Sequence, residues 1–198
     1  AILEYIPYRK GDAFARRDST HHHWFAGHGY AGVRVDLRGS GDSDGILFDE
    51  YLPQEEDDGL EVIAWLAEQA WCSGAVGMMG ISWGGFNGLQ VAARRPPALK
   101  AVVTMCASDD RYADDVHYVG GCVLGVDMLP WAATMLTLTS MPPDPAAVGD
   151  GWQVPGPPGM DGKALLLGIR PENFELGSGN DGIGIDIGVL VMQCTGGH

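Results

Sequence analysis

The sequence "VGMMGISWGGFNGLQVAARRP", residues 76–96, decides the fold class. An unbroken apolar run at 75–81 predicts a strand that is buried on both faces. The pattern G-x-S-x-G occupies positions 80–84, and a helix is predicted from about 85 to 95. A strand, this turn and a helix in succession are the context that a nucleophile elbow requires. Ser82 is therefore a candidate nucleophile, with a plain glycine-rich turn as the alternative in a chain of 30 glycines.

The segments around this stretch alternate between strand-like and helix-like patterns, which predicts a parallel α/β sheet. Strands are predicted at 2–6, 30–36 and 99–105, and helices at about 18–28 and 55–71. The last of these helices opens with "EEDD", and we expect its carboxylates to be solvated in the first turns, where the helix dipole favours negative charge. We favour that reading over a metal or cation site.

The composition excludes several classes of partner. The chain carries 26 acidic and 12 basic side chains, a formal charge of -14, which argues against nucleic acid and anionic membranes as partners. The four cysteines are scattered, which predicts buried, reduced thiols and a cytoplasmic location. The longest apolar run, 128–138, is shorter than the roughly 20 residues that cross a bilayer, so we predict a buried or cap helix there. No signal peptide is visible, but the chain opens without methionine, which we interpret as a missing start.

Four blocks of the chain resemble one enzyme family, in order and without gaps. They are "YIPYRKGD" (5–12), "GYAGVRVDLRGSGDSDG" (29–45), "WLAEQAWCSGAVGMMGISWGGFNGLQVAA" (65–93) and "LKAVVTMCASDDRYADDVHYVGG" (99–121). Together they are similar to the CocE/NonD serine hydrolases, the type that includes cocaine esterase, X-Pro dipeptidyl-peptidase and the α-amino-acid ester hydrolases. The resemblance implies an α/β-hydrolase fold over about residues 1–150.

The resemblance also implies roles for individual residues. Ser82 would be the acylated nucleophile, and the Tyr8 hydroxyl would be an oxyanion donor beside the backbone N–H of Trp83, which the elbow itself directs toward the site. Asp115 matches an acidic residue that binds the substrate's ammonium group in the amino-ester hydrolases, but a structural carboxylate is the alternative that we favour. No metal or organic cofactor is implied. The substrate would be a small molecule, either an X-Pro peptide, an amino-acid ester or an acyl ester.

The triad acid and base stay unassigned. In this fold the order along the chain is Ser, then Asp, then His, and His117 comes too early, only 35 residues after Ser82. Asp181, Asp186 and the terminal His198 lie in sequence that does not resemble the family. Because a serine without its base is a weak nucleophile, a non-catalytic remnant or binding module stays open beside an active serine hydrolase.

Beyond about residue 150 the chain changes to a Gly/Pro-rich linker and a short β-like tail, 151–198. The segment "KALLLGIRPENFEL" (163–176) resembles the small TOBE-type β-domain of sugar-importer ATPases. A transport ATPase fragment is therefore a rival reading, but Ala164 follows the Gly-Lys pair and breaks the phosphate-binding pattern. We interpret the chain as an α/β-hydrolase domain truncated at both ends and joined to an unrelated tail, of unassigned oligomeric state.

Two further motifs suggest ligand sites on first inspection. The loop "GSGDSDG" (39–45) has Asp44 where a dinucleotide fingerprint needs glycine, so we predict a loop near the site. The histidines 21–23 are consecutive, and consecutive residues on a helix point in different directions, so they cannot chelate one metal ion. We expect them to form the solvent-facing start of a helix.

Overall fold

The computed structural model describes residues 1–12, 14–113, 115–148 and the strand 189–192. Its strands are β1 (Ile2–Ile6), β2 (Gly32–Asp36), β3 (Val76–Ile81), β4 (Leu99–Met105), β5 (Tyr118–Val119), β6 (Cys122–Val123) and β7 (Val189–Met192). Its helices are α1 (Ala15–Gly27), α2 (Pro53–Glu68), α3 (Trp83–Ala93), α4 (Gly125–Ser140) and α5 (Pro145–Val148). The central sheet has the order β4-β3-β1-β2-β7, with β1 to β4 parallel and β7 antiparallel to β2.

The parallel α/β sheet predicted from the sequence is confirmed, and β1 and β4 have the predicted bounds. The prediction for β3 was wrong in one respect. Only alternate residues of β3 are fully buried, and Gly77, Met79 and Ile81 are half-buried. The reason is that α3 packs against β3 on one face, whereas α1 on the other face contacts β2. Strand β2, in contrast, is buried along its whole length.

The order of the strands reverses at β1. The chain passes from β1 to β2 on one side, and α2 then returns it to β3 on the other side of β1. In open α/β sheets, ligands bind in the crevice at the carboxyl ends of the strands at such a point. The loops after β1 and β3 therefore meet at one end of the sheet, and these loops carry Tyr8 and Ser82.

A network of buried charges lies between the sheet and α1. Glu4 and Arg34 are partners in register on β1 and β2, and Arg34 pairs with Asp18 of α1. His22 Nε2 lies 3.1 Å from Glu4 Oε2. Burial alone would raise the pKa of Glu4, but His22 and Arg34 outweigh it and hold that pKa below its usual value. The expectation that residues 21–23 face solvent is therefore wrong for His22, which is 1% exposed, although its two neighbours are exposed.

The hairpin β5–β6 and helix α4 follow the sheet. The sequence predicts either a buried helix or a cap helix at 128–138. In α4 only Leu138 is fully buried, so the buried helix is wrong and the cap helix fits. None of the helices in the described part of the chain is long and apolar enough to cross a membrane. Cys106 and Cys122 are exposed and Cys72 is half-buried, so the expectation of buried cysteines is wrong for these three, and Cys194 lies outside the described residues.

The predictions for the tail fall almost entirely outside the described residues. These are the linker, the TOBE-like segment 163–176, and the residues Asp181, Asp186 and His198. The described strand β7 lies within 151–198 and pairs with β2 through its backbone. The division of the chain at about residue 150 stays a prediction.

Candidate active site

Ser82 lies on a strained turn between β3 and α3. Its φ of 56° and ψ of -119° are outside the conformations that residues with a side chain favour. Its N–H donates to the Met105 carbonyl at 2.8 Å, which ties the turn to β4. A Cβ on Gly80 would lie 2.4 Å from the Gly84 carbonyl carbon, so only glycine lets the strand and the helix approach this closely. The strand, turn and helix predicted for the elbow are all present.

The structure brings the two predicted oxyanion donors together beside this turn. The backbone N–H of Trp83 donates to the Tyr8 hydroxyl at 3.2 Å, and both residues are buried. The Ser82 side chain also hydrogen-bonds Tyr8. Burial raises the pKa of Tyr8 above its usual value, although the bonds with Ser82 and Trp83 oppose this. Tyr8 therefore stays protonated at neutral pH and can act as a donor.

The residues after Tyr8 fix the loop that carries it. Arg9 has a positive φ of 63°, and its guanidinium donates to the Met141 carbonyl at 2.8 Å and the Pro142 carbonyl at 2.6 Å, just beyond α4. The backbone N–H of Lys10 donates to Asp36 Oδ1 at 2.7 Å, at the end of β2. The loop that carries Tyr8 is thus held both at the end of α4 and at the sheet.

A cavity of about 580 Å³ opens onto Ser82. Its wall is mixed in chemistry: it carries the aromatic rings of Phe86 and Trp131, the carboxylates of Asp115 and Asp127, and small side chains from the segment after β4. The Trp131 ring also meets the Tyr8 ring edge-on at 5.9 Å between centroids. The site is thus a mixed aromatic and acidic space at the carboxyl ends of the strands, as expected for an α/β sheet.

Asp115 lines this cavity, but its carboxylate is already engaged. Oδ2 accepts from Arg111 Nε at 2.7 Å, and Oδ1 lies 3.0 Å from His117 Nδ1. Burial alone would raise the pKa of Asp115, but the hydrogen bonds from His117 and Arg111 outweigh it and lower that pKa. This geometry favours a structural carboxylate, and the ammonium-binding role stays a prediction.

His117 is engaged by carboxylates on both sides. Its Nδ1 faces Asp115, and its Nε2 lies 3.4 Å from Glu50 Oε1. This arrangement fits the expectation that His117 is not the base that activates Ser82. In the described part of the chain, no group of three or more His, Cys, Asp or Glu side chains is placed to hold a metal ion.

Two carboxylates of the acidic run on α2 do not behave as the sequence analysis expects. Glu55 and Asp58 are 5% and 2% exposed, so the expectation of solvated carboxylates is wrong for them. Glu55 accepts from the indole Nε1 of Trp83 at 2.8 Å. A usable signal was present in the sequence, because counting back from the apolar position Val62 in steps of three to four residues places both carboxylates on the buried face of α2.

Comparisons with known proteins agree on one family. Residues 1–165 match the family described as X-Pro dipeptidyl-peptidase (S15 family). Cocaine esterase from Rhodococcus sp. (strain MB1 Bresler) is 37% identical over 139 residues, which cover 69% of this chain and 24% of that protein. The chain therefore spans about a quarter of the length of this relative.

Solved structures give the same fold. Two crystal structures of a CocE/NonD family hydrolase from Staphylococcus aureus match with TM-scores of 0.56 and 0.57, over 70% of this chain and 28% of theirs. Their sequence identities of 23% and 22% are low, so this likeness concerns the fold alone. The α/β-hydrolase fold and the resemblance to CocE/NonD hydrolases are confirmed.

Proposed function

The chain belongs to the X-Pro dipeptidyl-peptidase (S15) family, and we propose that it carries the nucleophile and both oxyanion donors of a serine hydrolase that cleaves an ester or amide. One observation carries this proposal: Ser82 occupies a strained turn, and beside it the Trp83 N–H lies 3.2 Å from the Tyr8 hydroxyl. Strain at a residue with a reactive side chain is characteristic of functional sites.

In the proposed reaction the Ser82 Oγ attacks the substrate carbonyl carbon while a base accepts its proton. The carbonyl π electrons move onto oxygen, and the tetrahedral oxyanion takes hydrogen bonds from the Trp83 N–H and the Tyr8 O–H. Collapse of this intermediate expels the alcohol or amine, which receives the proton, and leaves an acyl-enzyme ester on Ser82. Water then attacks that ester by the same steps and releases the acid.

The two donors are well suited to this task because they are in place before the reaction. The direct contact between the Trp83 N–H and the Tyr8 oxygen would be replaced by two bonds to the oxyanion, with little movement of either group. Removal of one such donor typically lowers kcat by about 10²–10³-fold.

The general base stays unassigned. Such a base must lie within hydrogen-bond reach of the nucleophile. His117 is unsuited to this role, since its two ring nitrogens face Asp115 and Glu50.

The cavity wall supports a substrate with a neutral or cationic acyl part. The Asp115 carboxylate is already paired with Arg111, so the acidic side chain left for a substrate is that of Asp127, beside the rings of Phe86 and Trp131. X-Pro peptides, amino-acid esters and acyl esters all meet this description. An anionic acyl group would be disfavoured by like charge.

Labelling with a fluorophosphonate tests the proposed nucleophile. The purified chain should be labelled, Ser82→Ala should not be, and Ser108→Ala is the matched control because Ser108 lines the same cavity. Labelling of Ser82→Ala at the wild-type rate would place the reactive serine elsewhere. Absence of labelling in a folded wild-type chain would support the non-catalytic alternative.

A further inference from the structure

The carboxyl group of Glu55 lies buried against the elbow. Its Oε1 accepts from the Trp83 indole Nε1 at 2.8 Å, and its Oε2 accepts from the Tyr51 backbone N–H at 3.1 Å. The Asn87 side chain on α3 also hydrogen-bonds this carboxyl. These three donors are neutral. Burial of a carboxylate among neutral donors is costly, so a helix would carry an apolar residue here unless the group had a task.

The titratable groups in the neighbourhood are Tyr5 on β1, Glu50 and Tyr51 before α2, Asp58 one turn along α2, and the two guanidinium groups of Arg38 and Arg111. Both tyrosines are neutral, and both guanidinium groups are paired with carboxylates. Arg38 pairs with Asp58 at 2.7 Å, and Arg111 pairs with Asp115 at 2.7 Å and contacts Glu50 at 3.3 Å. The negative charge of Glu50 disfavours a negative charge on Glu55 and so raises the pKa of Glu55.

Glu55 holds the side-chain end of Trp83, whereas the proposed oxyanion donor is the backbone N–H of the same residue. The backbone N–H of Trp83 is directed to Tyr8, and its indole is anchored on Glu55. The same carboxyl holds the backbone of Tyr51, which has a positive φ of 59° and packs its ring against the indole at 5.2 Å between centroids. One group therefore orders both the residue after the nucleophile and the aromatic side chain that packs on it.

We propose that Glu55 is a positioning residue, whose carboxyl group anchors the Trp83 indole and thereby holds the Trp83 backbone N–H in the orientation of an oxyanion donor. This inference rests on the proposed function for its catalytic meaning, but the anchoring itself is a property of the folded chain. Glu55 does not line the cavity at Ser82, and it acts through Trp83 and Tyr51.

The ionisation of Glu55 gives this arrangement a measurable signature. Burial raises its pKa from 4.5 to about 7, against the hydrogen bonds from Trp83, Asn87 and Tyr51. The neutral carboxyl is a poorer acceptor than the carboxylate. The contact with the indole should therefore weaken as the pH falls through about 7, and both the indole and the backbone amide of Trp83 should respond.

Nuclear magnetic resonance of the chain labelled with ¹⁵N-tryptophan tests this. Six tryptophans give few resonances, and Trp83→Phe identifies those of Trp83. Both the indole and the backbone amide of Trp83 should titrate with one midpoint near pH 7, and this titration should vanish in Glu55→Gln. Glu56→Gln is the matched control, because that neighbouring carboxylate pairs with Arg94 and should leave the titration unchanged.

Two results would overturn the proposal: a titration of the Trp83 indole and amide that persists unchanged in Glu55→Gln, or an indole that titrates with Glu55 while the Trp83 amide does not. If Glu55→Gln does not fold, Glu55→Asp replaces it and should shift the midpoint, whereas an unchanged midpoint assigns the titration to another group. Hydrolysis of p-nitrophenyl acetate is compared separately between wild type and Ser82→Ala. Equal rates there would refute the proposed function and leave the test of Glu55 intact.

Discussion

Replacing Ser82 with glycine should stabilise the chain relative to replacing it with alanine. Both variants lose the same hydroxyl and its hydrogen bond with Tyr8. They differ only in the Cβ, and the backbone at this position has a φ of 56° and a ψ of -119°. A Cβ is strained in this conformation, whereas glycine adopts it freely.

The size of the difference follows from two opposing effects. Strain of a residue held in such a region costs about 1–3 kcal/mol, and glycine relieves it. Glycine also has the more flexible unfolded chain, which costs about 0.5–1 kcal/mol relative to alanine. Taking the middle of each range, the free energy of unfolding of Ser82→Gly should therefore exceed that of Ser82→Ala by about 1 kcal/mol. For a chain of this size, that raises Tm by about 2–4 °C.

Urea denaturation followed by circular dichroism, with differential scanning calorimetry beside it, measures both quantities. Ser73 provides the matched pair, because it is exposed and its φ is not positive. Ser73→Gly should be less stable than Ser73→Ala by about 0.5–1 kcal/mol, the ordinary penalty of glycine. The sign of the difference should thus be opposite at the two serines.

The reasoning is refuted if Ser82→Gly is less stable than Ser82→Ala by the ordinary penalty. Residue 82 would then have an unstrained backbone, and the G-x-S-x-G stretch would be the plain turn that the sequence also permits. This test needs no catalytic base, so it examines the elbow whether or not the chain is active.

Three other predictions concern the same end of the sheet. Gly80→Ala should lower the free energy of unfolding in urea by about 1–3 kcal/mol because its Cβ meets the helix backbone, whereas Gly77→Ala, with contacts no shorter than 3.8 Å, should change it little. Tyr8→Phe should slow fluorophosphonate labelling by about 10²–10³-fold and cost about 1–3 kcal/mol in urea, because the Trp83 N–H loses its acceptor; an unchanged labelling rate would argue against the donor role. The pKa of Glu55 is raised from 4.5 to about 7, so between these two pH values the folded chain binds more protons than the unfolded chain. The free energy of unfolding should therefore fall as the pH rises from 4.5 to about 7. Relative to Glu55→Gln, this fall should reach about 3 kcal/mol, measured by urea unfolding at a series of pH values. The same pH dependence of the unfolding free energy in both proteins would contradict the prediction.

The sequence was sufficient for the features whose causes are local. The alternation of strand-like and helix-like segments predicted β1 and β4 at their observed bounds. The glycines around Ser82 predicted a close approach of strand and helix. The placement of Tyr8 beside Trp83 needed the family resemblance. The two residues are 75 positions apart, and no periodicity in the sequence relates them.

The buried charges were missed because their partners are distant along the chain. His22 meets Glu4 across 18 residues, and Trp83 meets Glu55 across 28. A charged residue near a helix start is usually solvated, so the expectation for the acidic run followed the common case. Only the position of Glu55 on the face of α2 that continues to Val62 distinguishes it from Glu56 and Asp57, which are more exposed.

These buried polar contacts explain how two loops can hold a site that the sheet alone does not fix. The loop after β1 is tied to the end of β2 through Lys10 and Asp36, whose carboxylate takes both the backbone N–H and the side-chain ammonium of Lys10. The elbow is tied to α2 through Glu55. Apolar packing would tolerate small shifts of either loop, whereas a hydrogen bond weakens steeply with misalignment. We infer that the charges are retained for this geometric precision, since an oxyanion donor must be placed to within about 0.5 Å to be effective.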